Sequence, residues 1–210
     1  MMNMKRVLVL VMVMLLVALM PVVAMALTST DYKGSSRVDS YTTYNASRAT
    51  DYVIKFGKEH KLGNNDSYPV YTAPELDAVR AANGKASVHT SGGMYSAGWE
   101  GAWLMVRYEK NNGGYRVGWI PRSELNMRGI EATRSVNFAY WRVTLAEDCY
   151  LTDDPVKESD ILAAASAGEE LIYLAYYKYP YNDEKEYAYV RGELNGQPIC
   201  GFVPFSAIDW

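Results

Sequence analysis

The sequence predicts an all-β fold made of two small modules in tandem, and three observations carry that expectation. One set of motifs occurs twice in the same order. The text around each set is short alternating runs broken by glycine-rich turns, as strands are. Once a leader is set aside, about 184 residues remain, enough for one ordinary domain or two small ones.

The duplication decides for two. Val70-Tyr71-Thr72-Ala73-Pro74 is followed by Trp103-Leu104-Met105-Val106-Arg107 and then Gly118-Trp119-Ile120-Pro121. Further on come Leu151-Thr152-Asp153-Asp154-Pro155, then Tyr187-Ala188-Tyr189-Val190-Arg191, then Gly201-Phe202-Val203-Pro204. Pro74 precedes Pro121 by 47 residues and Pro155 precedes Pro204 by 49, so the spacing holds over a whole small domain. This divides the chain into a leader at 1–26, a lead-in at 27–66, a first module at 67–127, a linker at 128–142 and a second module at 143–210.

In the leader, Lys5 and Arg6 precede the apolar run Val7 to Met20, then Pro21 and the small-residue site Ala24-Met25-Ala26, the pattern of a secretory signal peptide. The chain is therefore expected in the cell envelope or outside the cell. An uncleaved membrane anchor is the alternative, since Val7 to Ala26 is about 20 largely apolar residues. Loss of the leader removes two basic groups, leaving 19 basic against 24 acidic, a formal charge of about −5. A weakly acidic chain without a polybasic patch excludes nucleic acid as an expected partner.

Leu27 to Ala49 is rich in Ser, Thr, Asn and Tyr and reads as an extended or mobile lead-in, and Tyr52, Ile54 and Phe56 alternate as one short strand would. In the first module Asn83-Gly84 is a tight-turn dipeptide and Asn111-Asn112-Gly113-Gly114 a hairpin loop. Between them Leu104, Val106 and Tyr108 fall on one strand face and Trp103, Met105 and Arg107 on the other, so one of those faces is core. Val106 and Ile120, recurring as Val190 and Val203, are the β-branched core choices. In the second module Asn195-Gly196 is the matching turn, and the alanine run within Ser159 to Ala167 favours a short helix unless tertiary pairing overrides it.

A module of about 60 residues usually needs a staple or a docked neighbour. Cys149 and Cys200 are the two cysteines, and in an exported chain such a pair is more often bridged than free. Their disulfide would close a loop of about 50 residues and stabilise by roughly 4 kcal/mol on the chain-entropy model. Two unpaired buried thiols are the alternative.

The stretches Tyr68 to Pro74, Arg80 to Ala86, Gly101 to Val106 and Arg116 to Ile120 resemble bacterial SH3-like (SH3b) domains of secreted Gram-positive proteins, and the second module resembles a more diverged member. The resemblance implies an SH3-like half-open β-barrel in each module, commonly a targeting unit that binds cell-wall peptidoglycan in an aromatic groove. By motif position the groove would use Tyr71, Trp103 and Pro121, with Tyr187 in place of the Trp and Thr152 in place of the Tyr in the second module. Trp99 and Trp119 lie close in sequence and are further candidates, although packing competes for every aromatic in a small barrel. Half of the tyrosines among Tyr173, Tyr176, Tyr177, Tyr179, Tyr181, Tyr187 and Tyr189 should face solvent if that segment is a hairpin.

A hydrolytic reading has little to stand on, because His60 and His89 have no serine or cysteine motif tied to them. No cofactor is expected, and Asp153-Asp154 reads as a solvated acidic turn without calcium-loop spacing. The expected function is non-enzymatic recognition of peptidoglycan or another envelope ligand. The rival is an interaction or structural protein whose barrels dock on each other or on a partner protein, which an apolar interface covering Tyr71 and Trp103 would favour.

Overall fold

The computed structural model describes residues 46–59, 67–80, 87–89, 94–110, 114–125, 134–153, 155, 161–178 and 185–210. The stretch read as a signal peptide, most of the lead-in and the expected Asn83-Gly84 turn lie outside them. Among the described residues helix is confined to three short 3₁₀ segments, Ala46–Asp51, Arg122–Glu124 and Phe205–Ala207. All else that is regular is strand, in agreement with the all-β expectation.

Each half is organised around a three-stranded antiparallel meander. In the first, β4 (Met94–Glu100), β5 (Trp103–Glu109) and β6 (Tyr115–Pro121) are joined on the free edge of β4 by β1 (Lys58–Glu59), while β2 (Ser67–Pro69) and β3 (Ser87–His89) pair separately. In the second, β10 (Glu170–Lys178), β11 (Glu186–Leu194) and β12 (Gln197–Pro204) form the middle of a seven-stranded sheet. Its order is β13-β7-β10-β11-β12-β8-β9, with β7 at Trp141–Leu145, β8 at Cys149–Thr152, β9 at Ile161–Ala165 and β13 at Ile208–Asp209. The sheets remain open.

The two meanders share several local devices. A bulge interrupts the first strand of each, between Ser96 and Gly98 in β4 and between Tyr173 and Ala175 in β10, opposite Val106 and Val190 respectively. A proline closes each third strand across from an aromatic, Pro121 from Trp103 and Pro204 from Tyr187, and a 3₁₀ turn follows both. A glycine lets another chain segment cross each third strand. A Cβ on Gly118 would run into Val70 Cγ1 and Tyr71 O, and one on Gly201 into Leu151 Cγ and Thr152 O.

Alternation along these strands feeds three cores. Leu104, Val106 and Tyr108 join Val70, Met94 and Ile120 in a core of the first half. Val143, Leu151, Leu171, Val190 and Val203 belong to a core of the second. Between the meanders lies a third, where Met105, Val117 and Trp119 meet Ile172, Tyr177, Tyr189 and Phe202. Both faces of β5 are therefore covered, whereas the alternation called for one. Polar ties cross the same seam: Trp119 Nε1 donates to the Tyr189 hydroxyl at 2.9 Å, Arg191 pairs with Glu75 at 2.7 Å, and Val117 N donates to Asp153 O at 2.8 Å.

Four sequence expectations need correction. The alanine run is strand β9, not helix, because it pairs with β8 and turns Ala163 and Ala165 into a core, and tertiary pairing outweighs alanine's helical preference. The tyrosines Tyr173, Tyr176, Tyr177 and Tyr189 are all buried and Tyr187 half-buried, since cores cover both faces of the β10–β11 hairpin; Tyr179 and Tyr181 lie outside the described residues. The stretch read as a linker is packed from residue 134 onward, with Val136, Phe138 and Tyr140 in the shared core.

Last, Cys149 and Cys200 are free thiols. Thr152 pairs with Phe202, which sets Cys149 opposite residue 205, five positions from Cys200. Five positions is roughly 17 Å along a strand, well beyond the Cα separation of about 7 Å that a disulfide tolerates. The two thiols also serve different cores, Cys149 at the margin of the second half's own and Cys200 in the shared one.

Candidate functional site

Tyr71 is fixed by its backbone. Its N–H donates to Trp119 O at 2.9 Å and its carbonyl accepts from Trp119 N at 2.8 Å, an isolated bridge that lays the segment after β2 across β6. Trp103 opens β5 directly opposite Pro121 at the end of β6. These placements bring residues 32 positions apart into contact, with the Tyr71 and Trp103 rings edge to face at 5.3 Å between centroids. Both rings are half-buried, resting on the shared core, and Pro121 is buried.

A cation completes the cluster. The Arg80 guanidinium lies 4.4 Å from the Tyr71 ring centroid, and its Nε donates to Val70 O at 2.8 Å, so its plane is held in place. Tyr71 and Trp103, with Arg80 over the Tyr71 ring and the buried Pro121 paired with Trp103, thus make a small shelf with partly accessible ring surface for an apolar or planar group. Tyr71, Trp103 and Pro121 were legible from motif order; no spacing rule pointed to Arg80.

The other aromatic candidates sit elsewhere. Trp99 is 8% exposed and packs in the first half's own core, with the Arg122 guanidinium 5.4 Å from its ring centroid. Trp119 is 0% exposed, its indole enclosed in the shared core, and it reaches no ligand from solvent. Tyr187 is half-buried against that core, paired with the exposed Pro204, and Thr152, in the Tyr71 role, is buried with its hydroxyl aimed at Phe202 O. The second half therefore lacks an aromatic shelf of the same make.

Arg107 was named only as part of a face. Its guanidinium lies 5.3, 5.0 and 4.8 Å from the ring centroids of Phe56, Tyr95 and Tyr115, and it donates to the Tyr177 hydroxyl at 3.2 Å. It ties lead-in, first meander and second meander together.

Asp153 is not solvated. It is 2% exposed and forms an ion pair with Arg116 across the seam. Next to it, burial pushes the Tyr108 hydroxyl up to about 12, with Arg116 opposing and Asp153 reinforcing the shift. Burial likewise raises both thiols, Cys149 to about 11 and Cys200 to about 12, which keeps them protonated and poorly nucleophilic at neutral pH. His89 is in β3 opposite Ser67, and His60 lies outside the described residues. Among the described residues no group of three His, Cys, Asp or Glu side chains is placed to hold a metal ion. Nor is any helix among them long and apolar enough to cross a membrane.

No family model matches the chain, and no curated protein matches it. Among solved structures it overlaps NlpC2 from Trichomonas vaginalis at 14% identity and a TM-score of 0.25, covering 72% of this chain and 46% of that one. NlpC1 from the same organism overlaps at 14% identity and a TM-score of 0.23, covering 72% of this chain and 44% of the other. The chain spans less than half the length of either, and overlaps this slight carry no argument about fold or function.

Proposed function

We propose that this chain is an exported, non-enzymatic binding protein built from two SH3-like modules, which recognises peptidoglycan or another envelope ligand through the Tyr71–Trp103–Pro121 shelf. The bulge, closing proline and crossed glycine common to both meanders support the two-module reading. The observation that carries the function is the edge-to-face meeting of Tyr71 and Trp103 at 5.3 Å with neither ring fully buried. Aromatics so placed give contact area at low entropic cost, and the Arg80 guanidinium adds positive charge beside them. The second module serves as buttress, since its own positions are Tyr187 and a buried Thr152. The purified protein is expected to sediment with cell-wall sacculi, and Trp103→Ala to weaken that sedimentation; protein left in the supernatant removes the wall-binding reading.

The shared core favours a second reading, a structural or protein-binding role. It encloses Trp119 and supports Tyr71 and Trp103 from beneath. Capture of a defined envelope protein that survives Trp103→Ala, without pelleting on sacculi, selects it.

A further inference from the structure

A cavity of about 260 Å³ lies between the segments 51–55 and 134–138, and its lining includes none of the aromatic-shelf residues. Its walls are lengths of chain that each bridge a sheet on one side only. Val53 bridges Tyr176 in parallel, with Ile54 N donating to Tyr176 O at 3.0 Å and Tyr176 N to Tyr52 O at 2.6 Å. Ser135 bridges Trp99 in parallel, with Trp99 N donating to Arg134 O and Val136 N to Trp99 O, both at 2.9 Å. In each bridge the flanking residues make the hydrogen bonds, so the N–H and C=O of Val53 and of Ser135 point away from the sheet they border. Both residues line the cavity.

The floor is apolar, from the buried Ile54 and Phe138, and the mouth is basic. Lys55 and Arg134 line it, both exposed, and among the described residues neither has a carboxylate partner. The carboxylate of Asp51, which also lines the cavity, is engaged by Arg48 at 2.9 Å. Two extended walls with outward backbone groups, an apolar floor and two cations at the rim are what an extended acidic peptide complements: main-chain pairing supplies affinity, and side-chain charge selects the sequence.

We propose that this cavity is a second binding site, separate from the aromatic shelf, which takes an extended acidic segment of a partner protein by strand addition. The carboxylate meets Arg134 and Lys55, and the segment's backbone pairs with Val53 and Ser135.

The test is an amide-shift NMR titration of the purified protein with acetyl-Ala-Glu-Ala-amide, whose capped ends mimic an internal segment. Saturable shifts are expected at residues 53–55 and 134–137. The Gln peptide should bind about tenfold more weakly, the loss of one charge-assisted hydrogen bond, as should a peptide N-methylated after the Glu. Arg134→Gln with Lys55→Gln should weaken the Glu peptide to the same degree. Both side chains are exposed, so the variants keep the fold, which a thermal melt verifies. Trp103→Ala should leave the titration unchanged. No saturable shift in the millimolar range, equal binding of the Glu and Gln peptides, or an undiminished titration in the double variant each overturns the proposal. So does loss of binding in Trp103→Ala.

Discussion

Trp119 and Trp103 lie on the same face of one meander, yet they answer to different measurements. Trp119→Ala empties the shared core and should lower stability by about 3–5 kcal/mol in urea denaturation, whether or not ligand is present. Trp119→Phe, which keeps most of the volume but leaves the Tyr189 hydroxyl without its donor, should cost about 1–3 kcal/mol. Trp103→Ala removes a half-buried ring at the margin of the shared core and should cost about 1–3 kcal/mol, so a urea melt of the variant accompanies its sacculus assay. The sequence made Tyr71, Trp103 and Pro121 legible because their roles are set by position within a motif. It could not separate Trp119 from them, because alternation assigns a side chain to a face without saying what lies over that face. Gly118 and Gly201 were legible as motif members but not as crossing points. Alanine at either should destabilise by about 1–3 kcal/mol, since the buried Val70 and Leu151 side chains stand where the methyl would go and the Tyr71 and Thr152 carbonyls limit their retreat.

At the scale of elements, β9 is the instructive case. Its text, Ile161 to Ala165, has helical propensity, and its conformation comes from pairing with β8, a long-range fact that no local window contains. Ala164 stands opposite Tyr150 on the outer face, half-buried. Ala164→Val should therefore be neutral or stabilising by up to about 0.5 kcal/mol in a thermal melt, whereas in a helix the same change would destabilise. The lead-in shows the opposite balance. The alternation of Tyr52, Ile54 and Phe56 reads as a short strand, yet the segment makes a single isolated bridge at Val53, although Ile54 does enter the core. What it did not announce was division of labour, with Val53 bridging the second sheet and Lys58 and Glu59 pairing with the first.

For the whole molecule, the shared core makes the halves thermodynamically inseparable. Urea unfolding is expected to be one transition with coincident fluorescence and circular dichroism curves, and two resolved steps would contradict a common core. Alkali should weaken this cooperative unit. The folded-state values of Cys200 and Cys149, about 12 and about 11, lie above the ordinary thiol value of 9.0. Above pH 9 the unfolded chain releases protons that the folded chain retains, so stability is full below pH 9 and falls as pH rises toward 11 and 12. Denaturation midpoints at pH 8 and pH 10.5 check the sign, and replacing Cys200 by alanine should flatten the slope.

The location of the two sulfurs has one more consequence. With each one set in its own hydrophobic layer and the strand register holding them apart, native stability is indifferent to electron supply. Dithiothreitol and oxidised glutathione should give the same melting temperature, and material made in a reducing cytoplasm should match material recovered from an oxidising medium, without any need for an isomerase.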